Sequence, residues 1–360
     1  MFKFYLFPIS YAFLTFPIAA VLFTLPFLIV QYRKYGYVHY YRALLLYLFL
    51  LYMMNAVFLI ILPLPPSIHN APPAVESYAQ WIPFHFLEDI LKETAVVADQ
   101  PRTYLHLLKE RAFLQVFFNV LLTVPFGIFL RYYFRTSWVK CLLFSIGLSL
   151  FFEITQVTGL YGIYDYPYRL FDVDDIMMNT AGGMIGYVAA EWLSSLLPKI
   201  ESLDDKVDLA AKRVTYTRRG LAFLFDWFVM SPILAILAVL NVPLPYAVGV
   251  VLYFIVLPYF WNGQTLGKWI VRIRLTGKSD KITLYELFVR YGLLYLFVGG
   301  LNQLYIRAGI ENLPDILMVI ATFAMFLFNA WFAIHVLRCV FNRNRQLFYE
   351  KKSGTRHVIK

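Results

Sequence analysis

Residues 169–187, with the sequence RLFDVDDIMMNTAGGMIGY, place charged groups directly before an apolar run that contains glycines. The charged groups are Arg169, Asp172, Asp174 and Asp175. An arginine can hold a phosphate or a carboxylate, and neighbouring acids can accept hydrogen bonds, transfer protons or bind a divalent cation. One acid is enough to cap the start of a helix, so capping alone does not explain three of them. The segment therefore indicates a polar site at one end of an apolar helix.

Further polar residues lie inside the neighbouring apolar segments. Ser149, Glu153 and Gln156 are separated by four and three positions, so they share one face of a helix. Ionisable groups inside membrane-spanning helices are costly, face the bundle interior and are candidates for function. Asn119 precedes this set and Asn179 follows the acids. We predict that these side chains meet the charged group in one site.

The amino-acid composition indicates whether the helices that carry this site lie in water or in a membrane. The chain has 360 residues, 60% of them hydrophobic and 15% charged, whereas soluble domains average about 45–50% apolar and about 25% charged residues. The sequence therefore predicts an all-α, polytopic membrane protein. About nine apolar segments are long enough for a hydrocarbon core of about 30 Å, at 9–31, 42–62, 111–130, 138–158, 174–197, 219–240, 244–261, 283–303 and 314–338.

Charge distribution predicts the orientation of these segments. The first and third connections are basic, whereas the second, residues 63–110, is acidic. The positive-inside rule then places the N-terminus outside, the C-terminus inside and the 169–187 motif outside. The net charge of +10 is spread over short connections, which suits a lipid surface and not nucleic acid. Cys141 and Cys339 are too far apart in the chain for a zinc spacing or a disulfide framework.

A polar stretch divides the chain. We predict a transmembrane domain of five spans at 1–197, a cytoplasmic linker at 198–217, and a domain of four spans with a basic tail at 218–360. No internal repeat relates the two halves, so the inverted-repeat type of transporter gains no support.

A structural account of the polar cluster is the main alternative to a functional one. Asp172 or Asp174 caps a helix in this account, Arg169 pairs with the cap, and Asn179 makes an interhelical hydrogen bond. Close packing then explains the glycines, which are Gly182, Gly183 and Gly186. Glu153 has no place in this account, which is why we favour a functional site.

The first half resembles the VanZ family of membrane proteins, named for a teicoplanin-resistance determinant. The resemblance covers roughly residues 111–190 and is carried by N-xx-L-xx-PFG from Asn119, by S-xxx-E-xx-Q from Ser149, and by the 169–187 motif. The resemblance implies a bacterial cell-envelope protein with a link to glycopeptide resistance. The family's characteristic positions fall on Glu153, Gln156, Arg169, Asp172, Asp175 and Asn179.

The second half resembles the RDD family of small bacterial membrane domains. Arg219 and Asp226 lie seven positions apart on one helical face, and a G-x-T-x-G-K segment follows at 263–268. Glu350 stands where the family's second Asp is expected, so the charge is kept on a longer side chain. The resemblance implies a domain whose role is mostly undefined, with transport suggested for some members.

Three classes of function remain open. The favoured class is a non-enzymatic envelope factor whose outward site binds membrane lipid, a lipid-linked cell-wall precursor or a lipoglycopeptide. The alternatives are a transporter with Glu153 and Asp226 as proton-exchanging carboxylates, and an intramembrane enzyme that uses Glu153 with an Asp as acid and base or as ligands to a divalent ion. We expect no cofactor and no zinc, because no histidine or cysteine lies near the acids in the sequence.

Overall fold

The protein is described by a computed structural model in which the described residues are 2–360 except 76, 98, 206, 210–211, 280, 308–313 and 343–344, with side chains from residue 6 onward. Contacts divide the chain into two units. The first comprises Met1–Leu25 with His39–Lys206, and the second comprises Pro26–Val38 with Val207–Lys360. Three residues of the predicted linker, at 206, 210 and 211, lie outside the described residues, and the predicted domain boundaries stay a prediction.

The first unit is built from long helices, and its longest connection, residues 62–110, is called the outer segment after the side of the membrane that the sequence predicts for it. The helices and strands are α1 (Phe2–Tyr35, shared with the second unit), α2 (Tyr40–Ile61), β1 (Ala79–Gln80), α3 (His85–Glu93), a 3₁₀ helix (Pro101–Lys109), α4 (Arg111–Tyr132), α5 (Trp138–Val157), the short turn α6 (Gly159–Gly162), β2 (Phe171–Asp172) and α7 (Val173–Leu193). β1 and β2 pair in parallel, with Gln80 opposite Asp172. This pairing fastens the outer segment beside the start of α7.

Glycines let α7 pack directly against the backbone of α4. A Cβ atom at Gly182 would lie 2.1 Å from the carbonyl oxygen of Val120, and one at Gly186 would lie 2.0 Å from that of Val124. Such distances are too short for any side chain, so the two backbones approach as closely as small residues allow. This contact places the first turn of α7 against the polar residues of α4 and α5.

The second unit surrounds a core of buried apolar and aromatic side chains that includes Met230, Phe254, Leu287 and Tyr291. Its elements are α8 (Tyr216–Val239), α9 (Pro245–Phe260), α10 (Leu266–Ile270), β3 (Ile273–Thr276), α11 (Leu284–Ile306), α12 (Asp315–Phe341), α13 (Phe348–Ser353) and β4 (Arg356–Ile359). β3 and β4 pair antiparallel, which ties the C-terminal segment to the rest of the unit.

The all-α polytopic class is confirmed, since about 71% of the chain is helical. Seven described helices are long and apolar enough to cross a membrane, namely α1 from Leu6, α2, α4, α5, α8, α11 and α12. The other two predicted spans, 174–197 and 244–261, coincide with α7 and α9. α7 has 21 residues but carries acids, an asparagine and glycines, which lower its hydropathy, and α9 is a shorter apolar helix. The orientation in the membrane stays a prediction.

Candidate functional site

A cavity of about 1010 Å³ opens in the first unit beside the start of α7. Its polar lining consists of Arg111, Arg169, His85, Asp89, Asp172, Asp175, Asn55, Gln80, Gln115, Asn119 and Gln156. Its apolar lining comes mainly from α2 and α4 and includes Ala56, Leu59, Ile60, Phe118, Leu121, Leu122 and Pro125. The cavity therefore joins a charged region to an apolar one.

Asp175 lines the cavity and is held in place by a side chain of the helix bundle. Its carboxylate accepts a hydrogen bond from the side-chain amide of Asn119, and the side chain of Gln115 lines the cavity near it. Both amides come from α4, which the glycine contacts hold against α7. Asp175 thus lines the cavity in an orientation fixed by the Asn119 amide.

Asp172 and Glu153 act together at the start of α7. Asp172 is the N-cap residue, and its carboxylate accepts the backbone N–H of Asp174 at 2.9 Å. Burial raises the pKa of Asp172, and this hydrogen bond opposes the rise. Glu153, which is 2% exposed, accepts the backbone N–H of Asp172 at 2.9 Å. The buried glutamate therefore holds the cap residue in place and does not itself line the cavity.

Asp174 faces away from the cavity and anchors the outer segment. Its two carboxylate oxygens accept the backbone N–H groups of Phe84 and Phe86 at 2.6 Å and 2.9 Å. These donors lie at the N-terminus of α3, where unpaired amides favour a carboxylate. Asp174 is only 4% exposed, and its carboxylate is committed to the backbone N–H groups at the start of α3.

Arg169 is half-buried in the cavity wall. It makes no hydrogen bond or ion pair with another residue in the described part of the chain. Gln156 also lines the cavity, but its side-chain amide already donates to the carbonyl of Ile60 at 2.9 Å. Arg169 is therefore the predicted site residue with the most unused hydrogen-bonding capacity.

Ser149 and Asn179 are brought together below the cavity. The Asn179 amide donates to the hydroxyl of Ser149 at 3.0 Å, and the Thr123 hydroxyl donates to the carbonyl of Asn179 at 2.6 Å. Both predicted residues are buried, at 1% and 0% exposure for Asn179 and Ser149. They form an interhelical hydrogen-bond group that supports Asp175 and does not line the cavity.

In the second unit, Asp226 is saturated with donors. It accepts the hydroxyl groups of Tyr253 and Thr265 at 2.9 Å and 2.7 Å, the backbone N–H of Gly267 at 2.8 Å and the ammonium of Lys268 at 3.3 Å. Asp226 therefore holds the G-x-T-x-G-K segment against α8.

Glu350 forms a separate ionic group in the second unit. It lies 3.0 Å from Arg290, 3.3 Å from Arg219 and 3.4 Å from the Nδ1 atom of His357. Burial by itself raises the pKa of Glu350, but His357 and the two arginines together hold it well below its ordinary value. Arg219 thus pairs with Glu350 and not with Asp226. All three residues belong to the motif that the sequence analysis identified.

Arg218, the neighbour of the predicted Arg219, is the more deeply buried of the two. It is 2% exposed and donates to the carbonyl groups of Val271, Gly36 and Arg272 at 2.6 Å, 2.6 Å and 2.8 Å. Helical spacing could not show which of the two adjacent arginines is the buried one, because they lie eight and seven positions before Asp226 and both fall near its face of the helix.

Family comparisons agree with the two sets of motifs. Residues 49–194 match the VanZ/LLP1 family model, and residues 213–349 match the RDD family model. The chain joins a VanZ-like domain to an RDD-family domain. No curated protein and no solved structure matches the chain. With the membrane-spanning helices, the two domains support a multi-pass bacterial membrane protein.

The VanZ-like domain also uses residues that the motifs did not indicate. Arg111 and Gln115 line the cavity, and both lie on the helical face of Asn119, at intervals of four residues. That spacing was a signal that could have found them. His85 lines the cavity as well. It is distant from Asp172 and Asp175 in the sequence, but the fold brings it to the same cavity. Among residues outside the gaps given above, no group of three His, Cys, Asp or Glu is arranged to hold a metal ion.

Proposed function

We propose that the VanZ-like domain is a non-enzymatic factor of the bacterial cell membrane that binds an anionic envelope amphiphile in the cavity beside α7. The observation that carries the proposal is Arg169, a half-buried guanidinium with no hydrogen bond or ion pair to the rest of the described chain. A guanidinium held in a cavity wall presents several N–H donors to a phosphate or carboxylate. Arg111 lines the same cavity and adds a second positive charge.

The apolar part of the cavity favours an amphiphile over a free anion. Side chains from α2 and α4, including Leu59, Leu122 and Pro125, form a surface suited to an acyl chain. Ligand pockets commonly measure about 300–1,000 Å³, and this cavity of about 1010 Å³ lies at the upper end of that range. A polar head group with part of its chain would fill it better than a small ion.

The acids of the cavity narrow the class of head group. Asp172 and Asp175 offer acceptors for hydroxyl or amino groups close to the arginines. A ligand with an anionic group and additional hydrogen-bond donors would satisfy the arginines and the aspartates together. Phospholipids with a sugar or an amine, lipid-linked cell-wall precursors and lipoglycopeptides have this combination. Resistance to lipid-anchored glycopeptides such as teicoplanin would follow if such binding restricts their access to the cell wall.

The transporter and enzyme alternatives are less well supported by the site. Asp226 accepts hydrogen bonds from the ammonium of Lys268 and from three further donors, which favours a structural role for this carboxylate. Glu153 binds the backbone of Asp172 and does not line the cavity, which makes it a positioning residue. We therefore propose no catalytic role for either carboxylate.

Binding of a fluorescent phosphatidylglycerol to the purified full chain in nanodiscs tests the proposal. We expect Arg169→Gln to weaken binding by about tenfold or more, which corresponds to the loss of one charge-assisted hydrogen bond of about 1.5–3 kcal/mol. Arg356→Gln removes the same charge from an exposed position in β4 of the second unit, which does not line the cavity, and serves as the matched control. Equal affinity in both variants would reject the cavity as the binding site.

A further inference from the structure

The outer segment of the VanZ-like domain exposes large apolar side chains. In α3, Leu91 is 75% exposed, and in the 3₁₀ helix Leu105 and Leu108 are 69% and 60% exposed. Trp81 and Ile82, just before α3, are 67% and 66% exposed. Exposed apolar groups of this size on a segment between spanning helices indicate contact with a partner or with lipid.

Both short helices have an apolar face and a polar face. Leu87 and Leu91 lie four positions apart on one face of α3, whereas Lys92 and Glu88 form an ion pair at 3.4 Å on its surface. Residues three apart align in a 3₁₀ helix, so Leu105 and Leu108 share one face, which Arg102 ends, and Thr103, His106 and Lys109 share another. Short helices with one apolar face and one charged face lie in the plane of a membrane interface.

Helix α3 also forms an edge of the cavity. His85 and Asp89 line the cavity from α3, while Leu91 is exposed. The hydrogen bonds from Phe84 and Phe86 to Asp174 fix α3 to the start of α7. The same helix therefore presents one set of side chains to the cavity and another away from it.

We propose that α3 and the 3₁₀ helix lie in the head-group layer of the outer leaflet, where they form a lateral entrance through which a lipid passes from the membrane into the cavity. The entrance part of this proposal rests on the proposed function. The occupant of the exposed apolar faces is the lipid surface, because the segment starts where α2 ends and continues directly into α4, two helices that can span the membrane. Arg102 and Lys109 flank the apolar residues of the 3₁₀ helix and suit anionic lipid.

Spin labels in the full chain test the position of the segment. In a background with Cys141→Ser and Cys339→Ser, single cysteines are placed at Leu91 and Leu105, with Lys92 and His106 as matched neighbours. In vesicles of phosphatidylcholine and phosphatidylglycerol, we expect labels at 91 and 105 to collide with oxygen and to be shielded from a water-soluble nickel chelate. Labels at 92 and 106 should show the opposite preference. Equal exposure of all four labels to the nickel chelate would overturn the proposal.

Lipid uptake tests the entrance and separates it from the function of the cavity. Vesicles that contain the protein are mixed rapidly with micelles of a fluorescent phosphatidylglycerol, and energy transfer from protein tryptophans to this lipid reports the approach to binding equilibrium. We expect Leu91→Glu to slow this approach by about tenfold with equilibrium binding unchanged, and Gln100→Glu, an added carboxylate at an exposed polar position, to leave it unchanged. Saturable binding with an unaltered rate in Leu91→Glu would overturn the entrance alone. If the wild-type chain shows no saturable binding, the proposed function and the entrance both fail, and the spin labels still decide where the segment lies.

Discussion

Replacement of Asp174 should release the outer segment from the start of α7 while the helix bundle stays folded. In the wild-type protein its carboxylate accepts two backbone N–H groups, from Phe84 and Phe86, at 2.6 Å and 2.9 Å. Hydrogen bonds to a charged group contribute about 1.5–3 kcal/mol each. Asp174→Ala therefore removes about 3–6 kcal/mol from the local free energy of opening. Asp174→Asn keeps one acceptor oxygen and should lose about half of that.

Amide hydrogen exchange at Phe84 and Phe86 measures this effect directly. A loss of about 3 kcal/mol raises the rate of exchange through local opening by about a hundredfold, since each 1.4 kcal/mol is about a factor of ten. Amides in the middle of α4 should keep their protection, and Asp89→Asn, a change at a half-exposed acid of the same segment, should have little effect. If the three variants exchange alike at these two amides, Asp174 does not anchor the segment.

Three further predictions concern packing, the C-terminal segment and the biological role. Gly182→Ala should lower the thermal stability strongly, because its Cβ would meet a carbonyl oxygen of α4 at 2.1 Å. Gly147→Ala is the control: its Cβ would have no atom within 4 Å, so this change should be neutral or stabilising by up to about 1 kcal/mol. Equal melting temperatures of the two variants would argue against the close contact. Glu350→Gln should expose the C-terminal segment to proteolysis by weakening its buried pair with Arg290, at a cost of about 3–5 kcal/mol. Because the folded-state pKa of Glu350 lies below its ordinary 4.5, wild-type protection should be complete above pH 4.5 and decline only as the pH falls below it; a decline that begins well above pH 4.5 would contradict this assignment. In a sensitive Gram-positive host, teicoplanin-selective protection by the wild-type chain should be lost in Asp175→Asn at matched membrane levels, and no protection relative to empty vector would remove resistance from the proposed function.

Local patterns in the sequence were sufficient for the fold class and for part of the site. A long apolar segment can be recognised from neighbouring residues alone, and each of the nine predicted segments coincides with a helix. Helical spacing likewise placed Ser149 on the face that meets Asn179. The same rule applied to α4 would have added Arg111 and Gln115, because they precede Asn119 by eight and four positions.

Contacts between distant segments could not be predicted in this way. Asp174 bonds to Phe84 and Phe86, which lie 90 and 88 residues away, and nothing in either local sequence indicates that pairing. His85 approaches the acids for the same reason. The three acids look alike in the sequence, yet Asp172 caps α7 and lines the cavity, Asp174 binds the N-terminus of α3, and Asp175 lines the cavity. Their side chains point in different directions from the start of one helix.

The contacts of Arg218 have a consequence for any attempt to isolate the second domain. One of its three carbonyl partners belongs to Gly36, which lies far upstream in the chain, within the Pro26–Val38 segment of the second unit. A polypeptide that begins at residue 207 would lack this acceptor and leave a buried guanidinium N–H unpaired, at a cost of about 1–3 kcal/mol or more. The second unit is discontinuous in the sequence, and a form of it that begins at residue 207 should need residues 26–38, supplied as a separate peptide or by fusion, to recover full stability.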